Sequence, residues 1–374
     1  MSWKVVHVMN DGLADIAKLY IARLRKDENI PVSLQLRFWE TWKKEKFNEN
    51  ISRITSRVRG LTVNIIDKAT IILSLKRNGK RASALVKSVK PYIAETLPTD
   101  VYLVVIVGKR DEREVLAKVL HRIGMRRGWL KQVFVKKLDE IVISHRLKFE
   151  LLSLVYELRM YKGRVFTAAG TANFWPRGVE SIKEALEEYL LPIEKTRGYY
   201  IFIKSLRFRI LKDGKNVGTY SVDRWGRITI GPRSDVDTIL KILSSIIENI
   251  LNNYIEYRLH YSVRVNRVKS FTAYYLEKAN SIYLSAIEPG SEFFNTVKLM
   301  VGKPSIWNNK LIILPVEVGN PRLTARIIDK HSGMAVTLIA TYNGIRLVPA
   351  PGSIGIDAEM IDHILAMFRN LVSE

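Results

Sequence analysis

Apolar and polar residues alternate along the chain with two different periods, and each period predicts its own kind of element. A spacing of three or four residues predicts a helix, because it gathers the apolar side chains on one face of a 3.6-residue turn. Segments with this helical or amphipathic spacing lie at 12–25, 33–47, 111–123, 144–161, 235–253, 293–301 and 357–372. We therefore expect helices along the whole chain.

Strict alternation and short continuous apolar runs predict strands instead. Such patterns lie at 61–75, 101–107, 132–135, 199–211, 217–222, 227–230, 258–265, 271–276, 281–287, 311–318, 323–328 and 335–341. The run 101–107 is apolar throughout, as in a strand that is buried on both faces. Asp213-Gly214 and Trp225-Gly226 separate consecutive strand candidates and are typical of hairpin turns.

The order of these elements predicts an α/β chain. Strand 101–107, helix 111–123, strand 132–135 and helix 144–161 would form a Rossmann-like unit, in which helices cover a parallel sheet. From residue 199 onward, three antiparallel strands, a helix and further strands follow in the order of a ribonuclease H fold. The expected domains are a basic N-terminal support region at 1–98, a Rossmann-like domain at 99–175 and a ribonuclease H-like domain at 176–374.

Composition adds a class of partner. Lys and Arg total 60 against 37 Asp and Glu, a net charge of +23 over 374 residues. This excess indicates a polyanion, nucleic acid first and an anionic membrane surface second. Cysteine is absent, which excludes disulfides, thiolate metal sites and a cysteine nucleophile. Many charged residues without Cys also suit a thermophile.

Nothing in the sequence predicts membrane insertion. No apolar run approaches the ~20 residues of a transmembrane helix. The N-terminus, MSWKVVHVMNDG, lacks the uninterrupted apolar core of a signal peptide. We therefore expect a cytoplasmic protein.

Two segments resemble the Argonaute family. Segment 101–168 resembles a MID domain in its apolar strand, the helix that bears Lys118, the strand opened by Gln132 and the long helix that ends near Phe166. Segment 199–374 resembles a PIWI domain, and the resemblance includes the C-terminal end of the segment. The region before residue 99 is too short for N and PAZ domains, so the resemblance is to a short, archaeal-type prokaryotic Argonaute.

The resemblance implies a pocket for the 5′-phosphate of a guide strand. A phosphate needs several converging donors and cations. The family supplies a Tyr and a Lys one helical turn apart, a Gln on the next strand and a cation on the following helix. The matching residues here are Lys118, Gln132 and Arg159, with Lys148 and Arg122 as further cations. Glu114 departs from the pattern, since it stands where the Tyr is expected.

A basic loop surrounds Gln132 in the sequence. Its cations are Arg126, Arg127, Lys131 and Lys136, with Lys137 next to them. Lys and Arg side chains neutralise phosphates and give salt-dependent, sequence-tolerant affinity. Trp129 lies in the same loop, where two roles stay open: stacking on a base or packing against the domain edge.

The resemblance also implies a degenerate nuclease centre without catalytic residues. The family places carboxylates on the first PIWI strand and after the long helix, where this chain has Lys204 or Ser205 and Asn266. A cation and an amide do not hold divalent metal as carboxylates do. The family further implies a Mg²⁺ ion at the guide 5′-phosphate, with the C-terminal carboxylate of Glu374 as its ligand.

We therefore expect a chain that binds a guide strand, RNA in preference to DNA, and recognises a complementary target, DNA in preference to RNA, without cleaving it. The resemblance implies a partner protein that supplies an N-like region and an effector, in antiviral or anti-plasmid defence. One alternative is an active guided nuclease, with carboxylates from Asp213, Asp223 or Asp235, which sit at turns and a helix start. The other is a non-guided basic protein that coats nucleic acid or a membrane surface.

Overall fold

Helices are spread along the chain in a computed structural model. The model describes residues 10–40, 55–67, 70–77, 79–89, 99–161, 165–190, 199–263, 267–268, 271–276, 281–286, 288–349, 356 and 358–369. The helices in these residues are α1 (Asn10–Leu24), α2 (Arg110–Arg122), α3 (Gln132–Val135), α4 (Leu138–Ser144), α5 (Ile182–Ala185, followed by a π turn at Leu186–Leu190), α6 (Val236–Val263), α7 (Ser291–Val301) and α8 (Ala358–Arg369).

The larger of two sheets contains strands from all three expected domains. Its strands are β1 (Val32–Glu40), β2 (Leu61–Asp67), β3 (Thr70–Arg77), β4 (Lys80–Ser88), β5 (Thr99–Val107), β6 (Arg126–Arg127), β7 (Lys148–Tyr161), β8 (Val165–Asn173), β9 (Tyr199–Lys212), β10 (Lys215–Asp223) and β11 (Ile228–Ile230). Their spatial order is β2-β3-β4-β5-β1-β11-β10-β9-β7-β8, and β6 pairs with β1 beyond the end of β11.

The smaller sheet is built from the last third of the chain. Its strands are β12 (Arg267–Val268), β13 (Phe271–Leu276), β14 (Ser281–Ala286), β15 (Ser305–Trp307), β16 (Leu311–Val318), β17 (Leu323–Asp329), β18 (Ala335–Thr341) and β19 (Gly344–Pro349). They follow the order β12-β13-β14-β19-β18-β17-β16-β15. Every ladder between described strands is antiparallel, in both sheets.

Helices cover both faces of the larger sheet around β5. On one face α2 packs through Leu116, Val119 and Leu120 against alternate residues of β5. On the other face α1 packs against β5, and α6 packs against α1 in the same core. Residues 101–107 are therefore buried throughout, which confirms the strand predicted there. Removing this apolar surface from water is the main driving force for such packing.

The smaller sheet has its own helices and a direct contact with the larger one. α7 and α8 pack on it in the main core. Phe202 of β9 packs against Ile312 and Leu314 of β16, so the two sheets meet at this point.

Four segments fold differently from the sequence prediction. Residues 33–40 form β1 instead of a helical segment, and the rest of the predicted segment 33–47 lies outside the described residues. Residues 132–135 form the one-turn helix α3 instead of a strand. The predicted helix 144–161 is mostly the long strand β7, and residues 258–263 continue α6 instead of forming a strand.

These differences change the expected topology. Strand β5 pairs antiparallel with both β1 and β4, so the parallel β-α-β-α unit is not present in 99–161, a stretch that is described throughout. The first described strand after α6 pairs in the smaller sheet and not beside β9. The chain is a mixed α/β protein with antiparallel sheets, and its described ladders lack the parallel pairs of Rossmann-like and ribonuclease H-like folds.

Other predicted elements are confirmed. Helix 12–25, helix 111–123, the paired strands in 61–75 and the strands from 311 to 341 all form close to their expected bounds. The hairpin at Asp213-Gly214 also forms, and both residues adopt positive φ angles, 51° and 74°. Positive φ at two successive positions is the geometry that favours such residues in a tight hairpin.

Candidate functional site

A basic cleft of about 640 Å³ opens between α2, β1, β6, β9 and the turn that connects β10 to β11. Among the described residues, seven basic side chains line it, namely Arg37, Arg110, Lys118, Arg127, Lys204, Arg224 and Arg227, together with the two carboxylates Glu114 and Asp223. The lining also includes Gln35, His121, Ser205 and Trp225. Most of these residues are distant in sequence, so the fold brings the charge together.

Strand β1 forms part of the cleft because its residues alternate. Leu34, Leu36 and Phe38 point into the main core. Gln35 and Arg37 lie on the other face of the strand and line the cleft. Successive side chains of a strand point to opposite faces, so the sequence of β1 dictates that these polar groups share one side.

Arg37 and Arg127 lie directly opposite each other in the β1–β6 ladder. Like charges in this position destabilise a sheet. Arg37 is only 2% exposed; its Nη1 lies 3.5 Å from the Met125 carbonyl oxygen, and its Nε has no hydrogen-bond partner among the described residues. Burial, followed by the charge of Arg127, lowers the pKa of Arg37 to about 9. It stays charged at neutral pH, so this pair favours a bound anion.

The turn after β10 is held by its own hydrogen bonds. One oxygen of Asp223 accepts from the backbone N–H of Trp225 at 2.9 Å and of Arg227 at 3.1 Å. The other oxygen accepts from Arg227 Nε at 3.0 Å. Gly226 adopts a φ of 69°, and a Cβ there would lie 2.2 Å from Ile250 Cδ1. The turn therefore requires glycine and fixes Trp225 and Arg227 in the wall of the cleft.

Trp225 orders two of the cations. The guanidinium carbon of Arg127 lies 4.5 Å from the ring centroid, and that of Arg224 lies 4.9 Å from it. Gln35 Nε2 donates to the Trp225 carbonyl at 3.2 Å, and Arg224 pairs with Glu157 at 3.2 Å. Cation–π contacts of this kind hold guanidinium groups without neutralising them.

Arg227 engages both carboxylates of the cleft. Its Nη1 lies 2.6 Å from Glu114 Oε1, and its Nε bonds Asp223. Burial alone would raise the pKa of Glu114, but the Arg227 hydrogen bond and charge outweigh it, so the pKa is lowered. No carboxylate among the described residues forms an ion pair with Lys118, Arg127 or Lys204. These cations are therefore available to a ligand.

His121 reports the positive potential of the cleft. Burial lowers its pKa, and the charges of Arg37, Arg127 and Arg126 lower it further. The imidazole is consequently neutral at pH 7, and an anion bound beside it would favour the protonated form.

The cleft brings together four residues that the sequence analysis singled out for different reasons. Lys118 was expected at a guide 5′-phosphate, Arg127 in a basic loop, and Lys204 and Ser205 at the degenerate catalytic position. All four line the same cleft. Their proximity arises because β9 and β10 carry Ser205 and Asp223 as cross-strand neighbours, facing α2.

Gln132 and Trp129 are both buried. The Gln132 side chain donates to the Ile203 carbonyl at 2.9 Å and accepts from the Ile203 N–H at 2.8 Å. Gln132 is 3% exposed and its amide bonds β9, so it lies outside the cleft lining, and its expected role at a phosphate stays a prediction. Trp129 is 1% exposed and packs in the main core, which favours packing over stacking on a base.

The remaining predicted cations lie apart from the cleft lining. Lys148 is exposed and pairs with Glu180 at 2.6 Å. Arg122 lines a separate pocket on the other flank of α2. Arg126 belongs to β6, Lys131 is half-buried before α3, and Lys136 lies on an apolar groove beside α5. The side chain of Arg159 and all of Asn266 and Glu374 lie outside the described residues.

The three alternative nuclease carboxylates occupy two turns and a helix start. Asp213 is in the β9–β10 turn, and Asp223 lies at the opposite end of β10. Asp235 accepts from the Thr238 N–H at 3.0 Å and thereby caps α6. Among the described residues, no three His, Asp or Glu side chains are placed to hold a metal ion.

Four residues of the cleft were not predicted from the sequence: Arg37, Gln35, Arg224 and Arg227. The signal for the first two was present: residues 32–38 alternate strictly between apolar and polar, with Arg37 among the polar positions. That period predicts a half-buried strand with its polar residues on one face. Arg224 and Arg227 flank the correctly recognised Trp225-Gly226 turn.

Comparison with protein-family models finds no match for this chain, and comparison with curated proteins finds no relative. None of the described helices combines the length and apolar content that a membrane span requires.

Proposed function

We propose that this protein binds nucleic acid and that the basic cleft holds the phosphate groups. One observation carries the proposal: seven basic side chains converge on a cleft whose two carboxylates are both engaged by Arg227. The opposed Arg37 and Arg127 form no ion pair with a carboxylate among the described residues. Phosphate oxygens would offset this repulsion and accept charge-assisted hydrogen bonds.

A concave site favours a nucleic-acid strand over a membrane surface. A bilayer is flat and would reach only the rim of the cleft, whereas Arg127 and Lys204 line it from the sheet and are half-buried. The backbone of a single strand can enter a recess, and proteins that bind single strands hold that backbone in positively charged grooves. The net charge of +23 would add long-range attraction to either surface.

Guide-directed recognition without cleavage, a Mg²⁺ ion at the guide end and an effector partner remain predictions from the resemblance. The proposed phosphate binding does not depend on them. It corresponds to the simpler alternative, a basic protein that binds nucleic acid without a guide.

The test is the affinity of a fluorescent oligothymidylate of about 12 nucleotides, within the usual range of single-strand site sizes. The double variant Arg127→Ala/Lys204→Ala should bind at least about tenfold more weakly, since each lost charge-assisted contact is worth ~1.5 kcal/mol. The matched control is Lys215→Ala/Lys303→Ala, which removes the same charge at exposed positions outside the cleft. Equal losses in both variants would contradict the proposal.

A further inference from the structure

A second basic pocket of about 660 Å³ lies on the other flank of α2. Among the described residues, its basic lining consists of Arg57, Arg59, Lys76, Arg77, Lys118 and Arg122, and none of the described residues that line it is a carboxylate. We call it the flank pocket. Lys118 lines both the flank pocket and the basic cleft, so the two are neighbours across one helix.

The flank pocket differs from the cleft in having apolar lining as well. Val58, Leu75, Val115 and Val119 contribute this surface. Leu75 and Val119 are buried, whereas Arg57, Arg59 and Arg77 are exposed. Cations and apolar groups in one recess suit a ligand that has both phosphates and apolar faces, which is the composition of an unpaired nucleotide.

We propose that a single nucleic-acid strand crosses α2 at Lys118 and occupies the basic cleft and the flank pocket together. This inference rests on the proposed function, and it specifies the ligand as single-stranded. An α-helix with its side chains is about 10 Å across, so a strand must bend around α2 to enter both recesses. Duplex DNA is stiff over about 150 base pairs and keeps its bases paired inside, whereas a single strand bends and exposes its base faces.

The experiment compares a short ligand with a long one by fluorescence anisotropy. The short ligand is a 5′-phosphorylated thymidine dinucleotide, which can fill the basic cleft alone, and the long ligand is an oligothymidylate of about 12 nucleotides. The flank variant is Arg57→Ala/Arg59→Ala/Arg77→Ala, whose three side chains are exposed. The control is Lys215→Ala/Lys241→Ala/Lys303→Ala, which removes the same charge at exposed positions outside both recesses.

We expect the flank variant to bind the long strand at least about tenfold more weakly than the control variant, and the dinucleotide within about twofold of it. The cleft variant Arg127→Ala/Lys204→Ala should lose affinity for both ligands. A duplex of the same length should compete more weakly than the single strand.

Two results would overturn the inference while leaving the proposed function intact. In the first, the flank variant and the control variant bind the long strand equally well, although the cleft variant binds it more weakly. The other is a duplex that competes as well as the single strand. Failure of the unmodified protein to bind either ligand would instead overturn both proposals.

Discussion

At the scale of single residues, the cleft is defined by charges that do not cancel. Arg227 satisfies Glu114 and Asp223, while Trp225 holds Arg127 and Arg224 in place. Polar networks inside proteins are normally paired, so the cations of this lining that lack an ion pair among the described residues support the proposal that an anion binds here.

Lys118 should be the most sensitive exposed lysine, because it borders both recesses. We expect Lys118→Ala to weaken single-strand binding by about 1.5–3 kcal/mol, the range for a hydrogen bond to a charged group. Thermal unfolding should be unchanged, since the side chain is exposed. Lys118→Arg should retain most of the affinity. A loss confined to 5′-phosphorylated strands would instead favour the 5′-end role that the Argonaute resemblance implies.

The lowered pKa of His121 predicts that binding depends on pH. In the free protein the imidazole is neutral above its lowered pKa, and a bound phosphate raises that pKa. Binding therefore takes up a proton, and affinity should rise as pH falls from about 8 to about 5.5, around the ordinary value of 6.5. Phosphodiester groups stay ionised throughout this window.

The check is the affinity of a 5′-hydroxyl oligothymidylate measured across that pH range. His121→Gln should flatten the profile, whereas His145→Gln, at an exposed residue outside the cleft, should leave it unchanged. If the affinity of the His121→Gln variant still depended on pH in the same way, another group would take up the proton.

At the scale of elements, the sequence predicted most strands correctly but misassigned β7 for a definable reason. Leu151 and Leu152 are both buried, and the register against β9 shifts between Leu151 and Ser153. This bulge inserts one extra residue, so the apolar positions 147, 151 and 154 acquire a spacing close to that of a helix. Periodicity alone cannot distinguish a bulged strand from a helix over such a short distance.

The error at α3 has a different origin. Residues 132–135 have the composition of a strand, but Gln132 turns its amide to the backbone of Ile203 on β9. Such a pairing depends on a strand 71 residues away in sequence. Local pattern cannot reveal it, and the same holds for Arg127, whose partner Arg37 comes from a distant strand.

Gln132→Ala should destabilise the protein because it leaves the buried backbone N–H and carbonyl of Ile203 without partners. Each unsatisfied group costs about 1–3 kcal/mol, so we expect a loss of about 2–4 kcal/mol in the free energy of unfolding. Urea denaturation monitored by tryptophan fluorescence measures it. The folded fraction should bind single strands normally. Unchanged stability together with impaired binding would instead support the role of Gln132 in phosphate binding.

At the scale of the whole molecule, the net charge of +23 makes some attraction to any polyanion inevitable. The question is whether this attraction is diffuse or concentrated on α2. Composition established the sign and size of the charge, but only the fold shows that cations from β1, β6, β9 and the β10–β11 turn face the same helix.

Salt dependence separates these two cases. Affinity falls as salt rises, and each phosphate contact that a variant loses should make the slope of log affinity against log salt concentration shallower by about 0.7. Arg127→Ala/Lys204→Ala should therefore lower the slope by about 1.4, whereas Lys215→Ala/Lys303→Ala removes the same net charge without touching the cleft lining and should leave the slope nearly unchanged. Titrations of the oligothymidylate at several salt concentrations provide the measurement. If both variants reduced the slope equally, the attraction would belong to the surface as a whole, and the cleft would have no special part in it.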